Sequence, residues 1–159
     1  MKNVISAIMS AAVMFVPTGA ISAGLVVFQE DGHACTLDYD KNMFARISLD
    51  PDGHRRFSGS NENTYFRVTA LANDESMTPF EIRKDYLLKR GKKELVYDRA
   101  KGDFLVLSGY RGQSIFYTKI SLSPNNKTVC VLDIFYPREL KRAFDPYVTR
   151  MSHSFAAKN

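Results

Sequence analysis

The sequence predicts an α+β fold, an antiparallel β-sheet meander covered by a central helix and a C-terminal helix. Three observations carry that prediction. Four runs rich in β-branched and aromatic residues follow residue 93 with short linkers between them, and such linkers join antiparallel neighbours, since a parallel pair needs a crossover of about a dozen residues. A well-signalled helix at 79–90 precedes these runs. After them, Leu140, Phe144, Tyr147, Val148 and Met151 recur at helical spacing.

Taken in order, the chain opens with Lys2 as its only early charge, an apolar run over 4–16, and the breaker segment Pro17-Thr18-Gly19-Ala20-Ile21-Ser22-Ala23. That is the order of a secretory signal peptide. The apolar run holds about 13 residues, against about 20 for a bilayer span, which argues for cleavage and against a stable membrane anchor. The expected organisation is a signal peptide over 1–23 and a single α+β domain over 24–159, periplasmic or secreted.

In the mature part, 24–28 and 35–39 read as strands flanking the turn-prone Gln29-Glu30-Asp31-Gly32. Asp50-Pro51-Asp52-Gly53 reads as a turn, 55–63 as a polar stretch, and 64–70 as a strand. Thr78 is placed to cap a helix over 79–90, with Pro79 at its first position and Glu81 as the capping-box partner. Phe80, Tyr86 and Leu87 supply the apolar stripe, and Gly91 the stop. Strands are expected over 94–98, 103–108, 113–121 and 127–136, with hairpin connections at 109–112 and 123–126.

The last of these strands is apolar on both faces apart from Asp133, so it belongs in the sheet interior, covered by the 79–90 helix on one side and the C-terminal segment on the other. In that segment Pro146 suggests a short helical turn from about 138 and a main helix capped by Asp145 with Pro146 at its first position. If the preceding hairpin closes through Ser123 and Lys127, Asp133 lies opposite Tyr117 with Lys119 on the diagonal, which makes it a structural acid.

Cys35 and Cys130 are the only cysteines. An isolated pair in an exported chain is expected to form a disulfide, and their spacing excludes a CxxC redox motif. The 22 basic and 17 acidic residues give a net charge of +5, or +4 once Lys2 is removed with the leader. That mild excess suits an anionic envelope polymer or a protein partner, and an exported chain without a binding motif argues against nucleic acid.

Leu107-Ser108-Gly109-Tyr110-Arg111 with Ile115-Phe116-Tyr117, then Tyr136-Pro137, then Phe144-Asp145-Pro146-Tyr147-Val148-Thr149-Arg150-Met151-Ser152-His153-Ser154-Phe155, give the second half of the mature chain a pattern of its own. It resembles the PsbP/Mog1-like fold, and a set of small exported proteobacterial proteins. The motifs are packing and turn residues, so the resemblance implies a fold. Members of that fold are mostly auxiliary or binding proteins, which implies a non-enzymatic role by analogy.

No residue set outweighs its structural reading as a catalytic, cofactor or metal site. Ser108 lacks the glycine two places earlier that a nucleophile elbow requires, and reads as a hairpin residue. His33, His54 and His153 are scattered and have no second ligand at metal-binding spacing. Asp50-Pro51-Asp52-Gly53 lacks the further oxygens of a calcium loop. Arg83, Lys84, Lys89, Arg90, Lys92 and Lys93 form a candidate anion-binding ridge on the first helix and its exit, against the plainer reading of a solvated helix face. The expectation is an exported, non-enzymatic accessory or binding domain of the bacterial cell envelope or secreted fraction, with a small secreted hydrolase of unrecognised site as the alternative.

The exported protein is expected to begin at Ala23 or Gly24. N-terminal sequencing of periplasmic or culture-supernatant material checks this, and Met1 retained on a membrane-bound form would contradict it.

Overall fold

The computed structural model describes residues 23–90 and 95–159; the expected signal peptide therefore lies outside the described residues apart from Ala23. The chain runs β1 (Ala23–Glu30), β2 (His33–Asp40), β3 (Arg46–Leu49), β4 (Arg55–Ser58), β5 (Tyr65–Ala72), α1 (Pro79–Arg90), β6 (Leu95–Lys101), β7 (Phe104–Arg111), β8 (Ser114–Leu122) and β9 (Thr128–Pro137). A 3-10 turn (Arg138–Leu140), α2 (Lys141–Ser154) and β10 (Ala156–Ala157) complete it. One sheet has the order β3-β4-β5-β9-β8-β7-β6 and the other β1-β2-β10. Every pairing is antiparallel.

Turn chemistry sets these registers. Asp31 and Gly32 both have positive φ, 47° and 82°, the demand of a two-residue hairpin whose twist matches its strands. Gly112, at φ 56°, opens the turn that closes on Arg111 and Ser114. The hairpin expected at 109–112 is therefore shorter than the sequence suggested, and Gly109 and Tyr110 belong to β7. Ser108 likewise sits inside the strand, where its Oγ donates to the Phe116 carbonyl at 3.0 Å.

Three strands were missed. β3 precedes the expected turn and β4 lies in the stretch expected to be polar, each with only four residues and β4 beginning with two arginines, and β10 has only two residues. The Asp50-Pro51-Asp52-Gly53 turn does join β3 and β4: Asp50 Oδ1 accepts the N–H groups of Asp52 and His54 at 3.0 and 2.9 Å. Those bonds replace the ladder contacts that a tight bend gives up.

α1 has the expected bounds and its capping box is closed. The Thr78 N–H donates to Glu81 Oε2 at 2.7 Å, and the Glu81 N–H donates to Thr78 Oγ1 at 3.3 Å. Its buried stripe is different from the one expected. Ile82 and Tyr86 pack against Leu105, Leu107, Ile120, Val129 and Val131, whereas Phe80 is exposed.

β9 is sheathed on both faces, as its composition requires. Cys130, Leu132, Ile134 and Tyr136 enter the main core with residues of β1, β2, β5 and α2, while Val129 and Val131 meet the cluster under α1. Cys35 and Cys130 form a disulfide between β2 and β9, fully buried, with Cα atoms 5.8 Å apart. It ties one sheet to the other across 95 residues, a loop length for which the chain-entropy model gives an upper figure of about 4.7 kcal/mol.

The C-terminal helix is continuous through Pro146, contrary to the break expected there, and Asp145 is inside it and is no cap. Phe144, Val148 and Met151 lie on one buried face that straddles the proline, and this shared burial holds the helix through the lost hydrogen bond. The helix is also pinned to β2. Arg150 Nε and Nη2 both donate to Asp38 Oδ2, at 3.0 and 2.9 Å, and the Asp38 N–H donates to Ser154 Oγ at 2.9 Å.

Asp133 has partners other than those expected. The β8–β9 hairpin closes on Ser123 and Thr128, one residue wider than assumed, because Asn126 takes φ 58° and adds a turn residue. Thr118 therefore lies opposite Asp133, and Arg67 faces it from β5. Thr118 Oγ1 donates to Asp133 Oδ1 at 2.6 Å, and Arg67 Nη2 reaches Asp133 Oδ2 at 3.4 Å. Arg67 is itself anchored by Asp50 at 2.8 Å. Asp133→Asn and Thr118→Val should each lower stability by about 1–2 kcal/mol, and by less than the sum when combined, since they share one hydrogen bond. Denaturant melts of the two single variants and the double variant measure this; strict additivity would contradict the contact.

Candidate functional site

The seven-stranded sheet is not covered evenly. The three-stranded sheet packs over β5 and β9, and α2 over β9 and β8. Among the described residues, the same face of β7 and β6 stays open beyond α2 and forms a groove with the helix flank.

Register builds its floor in rows. Tyr97 on β6 pairs with Ser108 on β7, which pairs with Tyr117 on β8. The next row sets Tyr110 beside Ile115 and Ile115 beside Tyr136. Because alternate residues of a strand share a face, all these side chains point the same way. α2 forms the wall with Lys141, Asp145, Val148 and Thr149, and the hollow has a volume of about 370 Å³. A second hollow of about 460 Å³ shares Tyr97 and Tyr117 and continues past Arg99, Val106, Lys119 and Ser152.

Several wall groups also hold the helix onto the sheet. Tyr117 Oη and Ser152 Oγ are hydrogen-bonded at 2.6 Å. Lys119 Nζ donates to the Ser152 and Phe155 carbonyls, at 2.6 and 3.1 Å, satisfying acceptors at the end of α2 where a cation is favoured by the helix dipole. Tyr136 Oη donates to Asp145 Oδ1 at 3.4 Å, and Lys141 Nζ donates to Asp145 Oδ2 at 2.7 Å. Outside the wall, the Arg138 guanidinium lies 3.9 Å from the Tyr110 ring centre, within cation–π range.

The electrostatics follow from this packing. Burial raises the Tyr117 phenol above its ordinary value. Burial, reinforced by the neighbouring Asp145 carboxylate, raises Tyr136 much further. Both phenols are neutral at physiological pH. Burial lowers the Lys119 ammonium, partly offset by Asp103.

The residues singled out in the sequence lie elsewhere. Arg83 is bound to Asp98 through two contacts of 2.6 Å, which pairs that member of the candidate ridge with a carboxylate. Lys84 is exposed on α1. The side chains of Lys89 and Arg90, and all of Lys92 and Lys93, lie outside the described residues. His33 Nδ1 is hydrogen-bonded to Thr128 Oγ1 at 2.9 Å, and His153 is an exposed residue at the rim of the second hollow. Among the described residues there is no group of three or more His, Cys, Asp or Glu able to hold a metal, and no helix long and apolar enough to cross a membrane.

The tyrosines of the groove were legible in part. Tyr110, Tyr117 and Tyr136 stand in the motifs that carry the family resemblance, but as packing residues. Only the register shows that Tyr97 and Tyr110 open onto a shared hollow.

A cyanobacterial PsbP (CyanoP) from Synechocystis sp. PCC 6803 superposes on the chain with a TM-score of 0.64, over 87% of this chain and 94% of that one, at 11% identity. The fold is PsbP-like. No protein-family profile matches the sequence, and no curated protein does either. At this identity the PsbP likeness speaks to architecture alone, so the groove has to be judged by its own chemistry.

The raised phenols give a pH prediction. A tyrosine whose native pKa lies above its unfolded value contributes stability that is fully present below the ordinary phenol value of about 10 and lost as pH climbs through the raised values. Tyr117, Tyr136 and the buried Tyr39, also raised by burial, should ionise late in a phenolate absorbance titration, and Tyr136→Phe should remove the latest step. All eight tyrosines titrating together in the folded protein would contradict the packing described.

Proposed function

We propose that the protein is an exported, non-catalytic accessory domain that docks a segment of a partner protein in the groove between α2 and the β6–β8 face. The observation that carries this reading is the lip of the groove, where Val96 and Tyr97 are 68% and 47% exposed directly beside a preformed, tyrosine-floored hollow. Aromatic side chains of this kind give large, rigid contact area at low entropic cost and are enriched where proteins bind proteins. β6 is also the edge of its sheet, so its outer backbone is open to an incoming chain, while the bulge between Leu95 and Tyr97 limits indiscriminate strand pairing.

A protein partner suits the groove better than an anionic polymer. Of the cations along it, Lys141 is paired with Asp145 and Lys119 is committed to helix carbonyls, which leaves Arg99, exposed at the far hollow, against a floor of tyrosines. A hydrolase reading meets a similar obstacle, since Ser108 is engaged by a backbone carbonyl and Ser152 by Tyr117. Export is supported by the leader-like N-terminal sequence and by the buried disulfide, which belongs to an oxidising compartment.

A photoreactive residue in place of Val96, introduced in the producing cell, should give a discrete adduct that Tyr110→Asp weakens about tenfold or more. The same probe at Leu88, exposed on α1, should not give it. An adduct insensitive to Tyr110→Asp, or formed equally from Leu88, would overturn the reading.

A further inference from the structure

The opposite face of the large sheet carries a second feature, away from the groove and independent of it. On the β3–β4 hairpin, Arg46 pairs with Ser58 and Ser48 with Arg56. All four point to the face that does not carry Phe57, which enters the core. They line a hollow of about 530 Å³ with Ile47 and Glu62.

The two arginines differ from Arg67, on the neighbouring strand, in what balances them. Arg67, directly across from Arg56, is neutralised by Asp50 and Asp133, and the guanidinium holds the Asp50 carboxyl below its usual range, helped by the His54 and Asp52 N–H groups. Arg46 instead donates to backbone carbonyls, from Nε to Gly59 at 3.1 Å and from Nη2 to Gly59 and Ser60 at 2.6 and 3.1 Å. Arg56 donates from Nη2 to the Glu62 carbonyl and lies over the Tyr65 ring, 3.7 Å from its centre. Carbonyls and a ring fix the direction of a guanidinium without cancelling its charge. Moreover, Arg56 Nε is buried and has no hydrogen-bond partner among the described residues, a donor whose lost hydration nothing in the protein repays.

We propose that this hollow is a binding site for a tetrahedral oxyanion group, phosphate or sulfate. Two held guanidiniums and two serine hydroxyls present donors from several directions around one space, which suits a tetrahedral acceptor better than a planar carboxylate. The Tyr65 ring, with Phe135 stacked on it at 4.9 Å and the Arg56 guanidinium over it at 3.7 Å, holds Arg56 in place at the edge of the hollow.

The test is isothermal titration of the mature protein with inorganic phosphate and, as the planar control, acetate, at constant ionic strength. Phosphate should bind, and acetate much less. Arg46→Gln should weaken phosphate binding about tenfold or more, the loss of a charge-assisted contact. Ser48→Glu serves where an arginine variant fails to fold, because Ser48 is exposed and the new carboxylate competes for both guanidiniums; it should abolish binding with an unchanged melting midpoint. Lys84→Gln on α1 should leave binding unchanged. Equal affinity for acetate, retained binding in Ser48→Glu, or loss in Lys84→Gln would each overturn the assignment, and none of these outcomes bears on the groove.

Discussion

A strand that is apolar on both faces must be covered twice, and meeting that demand at β9 decides where most of the molecule goes. Leu132 and Ile134 are fully buried on one side, while Val129 and Val131 pack under α1 on the other. The first side draws in β1, β2 and α2, and the Cys35–Cys130 bond locks that layer at a position with no solvent contact. With the disulfide reduced, the small sheet would be held over β9 by packing, by the His33–Thr128 hydrogen bond and by the Arg150–Asp38 and Ser154–Asp38 contacts. The last two act through α2, which itself rests on the same core.

Layer widths explain why the cover is incomplete. Seven strands at roughly 4.8 Å spacing span about 29 Å. A three-stranded sheet beside one helix spans about 20 Å. The shortfall appears at both ends: Ile47 and Leu49 on β3 are exposed, as are Val96 and Tyr97 on β6. On the second face α1 alone is available. It lies over β6, β7 and β8, leaving the β3–β4–β5 end to arginines and a stacked tyrosine. Both surfaces to which a ligand is assigned here are thus consequences of one wide sheet covered by narrower layers.

What the sequence disclosed was what is set locally or by elimination. The capping box at Thr78 and Glu81 depends on residues three apart, and two cysteines allow one internal pairing. What it hid depends on register or on distant partners. The β8–β9 hairpin was misjudged by one residue because nothing local announces that Asn126 adopts a left-handed conformation, and that single residue replaces Tyr117 with Thr118 opposite Asp133. Pro146 was read as a helix start because local rules favour it, whereas the burial of Phe144 and Val148 on either side outweighs them. The β3 and β4 strands are too short to show a period.

The same distinction governs the charges. In the sequence, the densest basic run lies on α1 and its exit, a candidate anion-binding ridge beside the plainer reading of a solvated helix face. In the fold, Arg83 meets Asp98, Arg67 meets Asp50 and Asp133, Arg150 meets Asp38, and Lys141 meets Asp145. Cationic character at a surface depends on which carboxylates the topology brings within reach, and the count of arginines along a segment does not decide it. By that criterion Arg46 and Arg56, unremarkable in the sequence and separated by the Asp50 turn, differ from Arg83, whose partner is the Asp98 carboxylate while theirs are backbone carbonyls. The turn that separates them in sequence also presents Asp50 to Arg67, which takes up that carboxylate.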